Sequence, residues 1–108
     1  MARIGLFGGS FNPVHKGHVF AAESFIRLLA LDKLIVMPAA DPPHKELADG
    51  SPDAALRLRM LRAAMADVPN VEVSDLELRR GGKSYTYDTL LQLSAIYPDD
   101  ELYLLMGT

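Results

Sequence analysis

The sequence contains no cysteine. Disulfides, thiolate metal centres and a cysteine nucleophile are thereby excluded. No apolar run approaches the ~20 residues of a membrane-spanning helix, and Met1-Ala2-Arg3 leads straight into an apolar segment, too short a start for a signal peptide. These absences point to a cytoplasmic protein without a membrane partner. Excess positive charge is also missing. Eleven Lys and Arg stand against 14 Asp and Glu, a formal net charge of −3, so no global basic field draws in nucleic acid. An anionic ligand would need local positive groups. Internal repeats and low-complexity stretches are absent as well.

What is present is a chain of 108 residues, 49% of them hydrophobic, enough for one folded domain with a core. Its pattern alternates. A first strand is expected at about Arg3–Phe7 and a helix at about Gly17–Leu31, where Ala22, Phe25, Ile26 and Leu29 make an apolar stripe. A second strand at about Lys33–Met37 is closed by Pro38, and a polar loop with Asp41-Pro42-Pro43-His44-Lys45 follows. Ser51-Pro52 reads as N-cap and first position of a second helix, about Pro52–Asp67. Its stripe is Leu58, Leu61 and Met65, with Arg57, Arg59 and Arg62 directed outward or toward a site. A third strand is expected at Val71–Ser74, running on toward Leu78, before the basic loop Arg79–Ser84. A third helix spans about Tyr87–Tyr97, capped by Thr86, with Leu90, Leu93 and Tyr97 in phase. The fourth strand, Glu101–Met106, has a continuous apolar core and is expected to be buried on both faces.

Strands alternating with helices predict an α/β fold: a parallel sheet with helices on both faces, ending after the fourth strand. Ligands bind such sheets beyond the C-terminal strand ends. The distinctive sequence features all fall there. One string stands out: Gly8-Gly9-Ser10-Phe11-Asn12-Pro13-Val14-His15-Lys16-Gly17-His18, between the first strand and the first helix. Two adjacent glycines let a bulky ligand approach the backbone. A helix start offers free N–H groups to phosphate. If the first helical turn includes both His15 and His18, they share a face over the loop. The string lacks the Gly-x4-Gly-Lys-Ser/Thr of a P-loop and the glycine spacing of a dinucleotide fingerprint.

Two further motifs lie on the same edge. His44-Lys45 follows two prolines that hold the loop extended, a solvated loop or a phosphate contact. Ser84-Tyr85-Thr86-Tyr87-Asp88-Thr89 precedes and opens the third helix. Capping accounts for much of this motif. The same helix start suits a small carboxylate, and its tyrosines suit an aromatic ring. Three His ligands could bind zinc, but His15, His18 and His44 lack a pattern of supporting partners, and no metal-ligand set is expected.

The glycine-rich turn, Phe11, Asn12-Pro13 and His15-Lys16-Gly17-His18 closely resemble the signature of the nucleotidyltransferase superfamily. Pro42-Pro43-His44-Lys45, Arg57 with Met60-Leu61, the Ser84–Thr89 segment and Tyr97-Pro98 before a strand ending in Gly107 narrow the resemblance. Together they are similar to the bacterial nicotinate mononucleotide adenylyltransferase family. The resemblance implies a Rossmann-like fold. It implies transfer of the adenylyl group of ATP, with Mg²⁺, to nicotinate mononucleotide, giving deamido-NAD and pyrophosphate in NAD biosynthesis. By resemblance, His15 and His18 are catalytic; Gly8, Gly9, Ser10, Phe11, His15, His18 and Gly107 hold ATP and its phosphates. Ser10, His44, Lys45, Tyr85, Thr86 and Tyr87 hold nicotinate mononucleotide.

The resemblance stops at Gly107-Thr108, where family members continue with further helices and strands, a tryptophan and a Ser/Thr-rich motif with Arg that closes over ATP. This sequence has no tryptophan. Residues 1–108 are therefore expected to be the N-terminal portion of a nucleotidyltransferase domain. The alternatives are a related transferase acting on nicotinamide mononucleotide or phosphopantetheine, and a non-catalytic nucleotide-binding module. A homo-oligomer is left open.

Overall fold

The computed structural model describes residues 1–9, 11, 14–39, 54–80 and 86–106, with the backbone alone at 86 and 106. Among these residues the order is β1 (Arg3–Gly9), α1 (Lys16–Leu29), β2 (Lys33–Pro38), α2 (Ala54–Met65), β3 (Val71–Val73), α3 (Leu76–Arg80), α4 (Thr86–Ile96) and β4 (Glu101–Met106). The sheet runs β3-β2-β1-β4, and every pairing is parallel. β1 is central, with Ile4 opposite both Lys33 and Leu102.

Alternation along each strand builds two cores. Phe7, Leu34 and Val36 face one way, joined by Ala22 of α1 and by Leu61 and Met65 of α2. Ile4, Leu6, Ile35 and Met37 face the other way, joined by Leu93 of α4, with Leu76 and Leu90 packed alongside. Helices thus cover both faces, which is why β1 and β2 read as unbroken apolar runs. β4 was expected to be buried on both faces and is not: it stands at the end of the sheet order, and Leu104 is 43% exposed. Each such side chain removed from water stabilises the fold by about 1.5–3 kcal/mol. Crossovers through α1 and α2 carry the chain from β1 outward to β3 on one face. The return to β4 goes through α3 and α4 on the opposite face, as a constant crossover hand requires when direction reverses.

Several boundaries differ from the sequence reading. β1 runs on through Gly8 and Gly9, paired with Met37 and Pro38, and α2 stops at Met65 rather than Asp67. α1 ends at Leu29, short of Leu31, because Ala30 takes a left-handed conformation (φ 50°, ψ 50°). Leu31 then drops into the core, where it is 4% exposed. No glycine marks this end, and Leu31 is apolar and in phase, so the sequence carries no stop signal. The third strand does not continue toward Leu78. The Leu76 N–H donates to Ser74 Oγ at 3.3 Å, and Arg79 N–H donates to the Asp75 carbonyl at 2.8 Å, turning the chain into the short α3. Such local side-chain acceptors compete with strand pairing. Finally, Thr86 lies in the first turn of α4 rather than capping it.

Of the two placements expected for Arg57, outward or toward a site, the outward one does not hold. This residue is 1% exposed, and its Nη1 donates to the Ala39 carbonyl at 3.0 Å. α2 is thereby fastened to the chain just beyond β2. At the opposite sheet edge the polar groups are structural. Arg3 N–H donates to Asp32 Oδ2 at 2.8 Å, and Lys33 Nζ donates to Glu72 Oε1 at 3.2 Å and to Tyr97 Oη at 3.3 Å.

Candidate active site

All strands point the same way, so their C-terminal ends line one edge of the sheet. The chain leaves β1 toward β2, whereas β4 lies on the other side of β1. That reversal is a topological switch point, where loops diverge and leave a crevice. The loop from Gly9 to His15 starts beside it.

Within this loop Phe11 has φ 46°, a left-handed backbone unusual for a bulky side chain. Strain of this kind costs about 1–3 kcal/mol and persists only where the surroundings enforce it. Here the enforcement is packing. The Phe11 ring is 3% exposed and meets Phe7 edge-on at 5.4 Å and the His18 ring at 4.9 Å. The backbone thus turns sharply while the ring plugs the base of the loop.

His15 and His18 begin α1 as a reciprocal capping box. His15 is the N-cap, and its Nδ1 accepts from Gly17 N–H at 3.0 Å. His18 sits at the third helical position, and its Nδ1 accepts from His15 N–H at 3.0 Å. The rings stack at 3.9 Å. An acceptor nitrogen carries no proton, so each neutral ring holds its hydrogen on Nε2. Two N–H donors thus remain for an anion at the helix start, beside the positive end of the α1 dipole. The spacing of the two histidines was legible in the sequence, but their capping role was missed. Its signal was the same three-residue interval that Ser/Thr and Glu use in ordinary capping boxes.

Burial, and secondarily the neighbouring charge of His15, hold the His18 pKa below its ordinary 6.5. The unfolded chain therefore takes up this proton more readily than the folded one. The associated stability is complete above about pH 6.5 and is lost as pH falls from there through the folded-state value. His18→Gln keeps an acceptor at the capping position but does not titrate. The melting temperature of the native chain should therefore fall relative to that of His18→Gln between pH 7.5 and 5.5. Parallel curves for the two proteins would contradict this.

Glycine is demanded at some positions and not at others. A Cβ at Gly17 would stand 2.8 Å from His15 Cε1 and 3.0 Å from its Nδ1, so glycine allows the capping ring to lie over the helix start. A Cβ at Gly8 would meet only the Met37 carbonyl at 4.0 Å, and one at Gly9 would touch the Phe11 ring at 3.6 Å, an ordinary contact. Among the described residues, neither sterics nor positive φ requires glycine at 8 or 9.

The structure therefore brings together Gly8, Gly9, Phe11, His15 and His18. Tyr87 lies in the first turn of α4 and is 71% exposed, open to a ligand. Thr86 is placed by its backbone alone. Ser10, His44, Lys45, Tyr85 and Gly107 lie outside the described residues. Among the described residues no three His, Cys, Asp or Glu side chains gather as a metal site, and no helix is long and apolar enough to cross a membrane. Sequence reasoning did not find the buried pair Glu77 and Thr89, whose hydroxyl donates to Glu77 Oε2 at 2.6 Å. Twelve positions separate them, and only the packing of α3 on α4 joins them.

The profile of the family described as Cytidylyltransferase-like matches residues 6–108. The chain belongs to this family. Among curated cytidylyltransferase-like relatives, a protein of Citrifermentans bemidjiense named for nicotinate-nucleotide adenylyltransferase is 50% identical over 105 residues, 97% of this chain and 48% of the relative. One from Shouchella clausii with the same name is 45% identical over 107 residues, 99% of this chain and 55% of the relative. The chain thus spans about half the length of the curated relatives it matches. Among solved structures, a protein from Vibrio parahaemolyticus, also named for nicotinate-nucleotide adenylyltransferase, superposes with a TM-score of 0.78 at 28% identity, covering all of this chain and 59% of that one. Plasmodium falciparum nicotinic acid mononucleotide adenylyltransferase complexed with NaAD superposes at 0.81 with 20% identity, covering 96% of this chain and 51% of that one, and supports the fold alone. The Rossmann-like parallel sheet expected from the sequence is thus the fold of this nucleotidyltransferase group.

Proposed function

We propose that the chain takes part in transferring the adenylyl group of ATP to nicotinate mononucleotide, giving deamido-NAD and pyrophosphate, a step of NAD biosynthesis. The observation that carries this reading is the histidine-capped start of α1 beside the sheet's switch point, with its two Nε2–H donors and a glycine pair at the end of β1 that no described residue crowds. Likeness to relatives named for this activity supports the choice of acceptor.

The chemistry asks little of the protein beyond placement. A phosphate oxygen of the mononucleotide attacks the α-phosphorus of ATP. A P–O bond forms, and the bond to the β-phosphate bridging oxygen breaks, its electron pair leaving with pyrophosphate. The attacking oxygen is already ionised, since a phosphomonoester's second pKa is about 6. No general base is needed. Catalysis then consists of alignment and stabilisation of charge on the phosphoryl oxygens. Gly8 and Gly9 admit the nucleotide, and Ser10 and Phe11 offer backbone or hydroxyl contacts to phosphate. His15 and His18 donate from Nε2 to the triphosphate, and His18 acts in the transition state. Gly107, at the end of β4, completes the ATP side. His44 and Lys45 hold acceptor phosphate with Ser10, while Tyr85, Thr86 and Tyr87 receive the pyridine end. Backbone N–H groups at the α4 start favour carboxylate over carboxamide there. Mg²⁺ enters with ATP, neutralising its phosphates.

Pyrophosphate release with Mg²⁺-ATP and three acceptors tests the reading. Nicotinate mononucleotide should be preferred over nicotinamide mononucleotide and phosphopantetheine. Equal rates on both pyridine mononucleotides would remove the proposed selection at α4, and preference for phosphopantetheine would reassign the acceptor. ATP binding without turnover on any acceptor would mark a nucleotide-binding module. A cytoplasmic location and a role for a second copy of the chain belong to the same proposal.

A further inference from the structure

We propose that Thr89, clamped between Glu77 and Arg80, is a positioning residue for the acceptor; this rests on the function proposed above. Thr89 is fully buried and Glu77 is 8% exposed. The hydroxyl donates its hydrogen to Glu77 Oε2 at 2.6 Å and accepts from Arg80 Nη2 at 3.2 Å. Arg80 Nη1 reaches on to Gln92 Oε1 at 2.7 Å. One oxygen thus sits between a guanidinium and a carboxylate, and each bond is charge-assisted and stronger than its neutral counterpart.

The arrangement has a geometric consequence. Glu77 and Arg80 lie one turn apart on α3, and Thr89 and Gln92 one turn apart on α4. Two ties between two helices fix both the rotation and the axial position of α4. The apolar contacts of Leu90 and Leu93 with the sheet do not fix these, because hydrophobic burial is non-directional. A buried carboxylate is costly even when hydrogen-bonded, and an apolar pair would fill the same space. What the polar clamp adds is a unique setting. The first turn of α4, whose setting the clamp fixes, carries Thr86 and Tyr87, two residues of the proposed receptor for the pyridine end. The triphosphate side, on β1 and α1, is not part of the clamp.

Thr89→Val removes the hydroxyl at constant shape, and Thr89→Ser restores it. Binding of nicotinate mononucleotide and of ATP is measured separately on the full chain by calorimetry, and amide hydrogen exchange is followed in both proteins without ligand. Thr89→Val should weaken mononucleotide binding by about tenfold or more, leave ATP binding within about twofold, and speed exchange across residues 86–92 of α4 while β1 and β2 stay protected. Thr89→Ser should restore all three. Equal loss for both ligands, or unchanged exchange at 86–92, would overturn the proposal. If the native chain does not bind the mononucleotide, the acceptor reading fails and positioning for that acceptor fails with it. The exchange data then decide separately whether the clamp orders α4. Glu77→Gln, which keeps shape and an acceptor, gives the same readout with a smaller effect should Thr89→Val not fold.

Discussion

Replacing His18 with alanine should lower adenylyl transfer by a factor on the order of 10²–10³, the usual loss for one donor aimed at developing phosphoryl charge. ATP affinity should fall far less, because in the proposed mode of binding His15 and the helix start would still hold the triphosphate. The alanine also removes half of the capping box, which typically costs about 0.5–2 kcal/mol of stability. His18→Gln separates the two effects. Glutamine is a normal capping-box residue at this position and should keep the helix start intact. It does not reproduce the imidazole donor's position over the loop, so turnover should still fall steeply. Steady-state pyrophosphate release, an ATP titration and a melting curve on the three proteins decide the matter. Full turnover by His18→Gln would show that the histidine pair serves the helix and not the reaction.

The second large effect concerns Gly5. A Cβ there would lie 2.7 Å from Leu31 Cδ1, 2.9 Å from Leu34 Cδ1 and 3.2 Å from Leu105 Cδ1. Each of these is the tip of a side chain and can give a little. All three lie in one core and must give together, at the centre of the sheet. Overpacking of this kind costs about 1–3 kcal/mol for alanine. Gly5→Val adds two more carbons and should reach or exceed the top of that range, lowering the melting temperature by roughly 10–20 °C. Gly8→Ala is the control on the same strand. Among the described residues its Cβ meets no more than the Met37 carbonyl at 4.0 Å, so stability should stay within about 1 kcal/mol of the native chain. If Gly8 admits the nucleotide as proposed, ATP binding by Gly8→Ala should fall. Thermal denaturation and an ATP titration on the variants would check this. A stable Gly5→Val would remove the packing role of Gly5, and a Gly8→Ala that binds ATP normally would remove the ligand-admitting role of Gly8.

Much of this architecture could be read in advance because β1 and β2 are buried on both faces. Ile4 to Phe7 and Leu34 to Met37 are apolar without interruption, as a strand covered on both sides is; Leu102 to Leu105 read the same way, yet β4 leaves Leu104 43% exposed. The loop after β1 was legible for another reason: glycines, a proline and paired histidines are costly choices for mere packing. What escaped is tertiary. Arg57 lies in register with Leu61 and Met65, but its burial follows from a carbonyl at Ala39, which no periodicity reveals. The turn into α3 depends on Ser74 and Asp75 outcompeting the sheet locally. The left-handed Phe11 looks ordinary in one-letter code, since the packing that enforces it comes from Phe7 and His18.

The central place of β1 also has a consequence in time. Its neighbours arrive in turn as the chain is made. β2 follows soon after, but β4 closes the other edge only near residue 101, and the Ala2–Asp100 hydrogen bond joins groups 98 positions apart. At ribosomal rates of about 5–20 residues per second, the strand that precedes the glycine–histidine loop waits roughly 5–20 s for its second partner. Through that interval the hydrogen-bonding edge beside Leu6 and Phe7 is open to any strand that finds it first. The nascent chain therefore passes through a stage at which the element that anchors its chemistry is also its most aggregation-prone surface, a natural point for chaperone capture during synthesis.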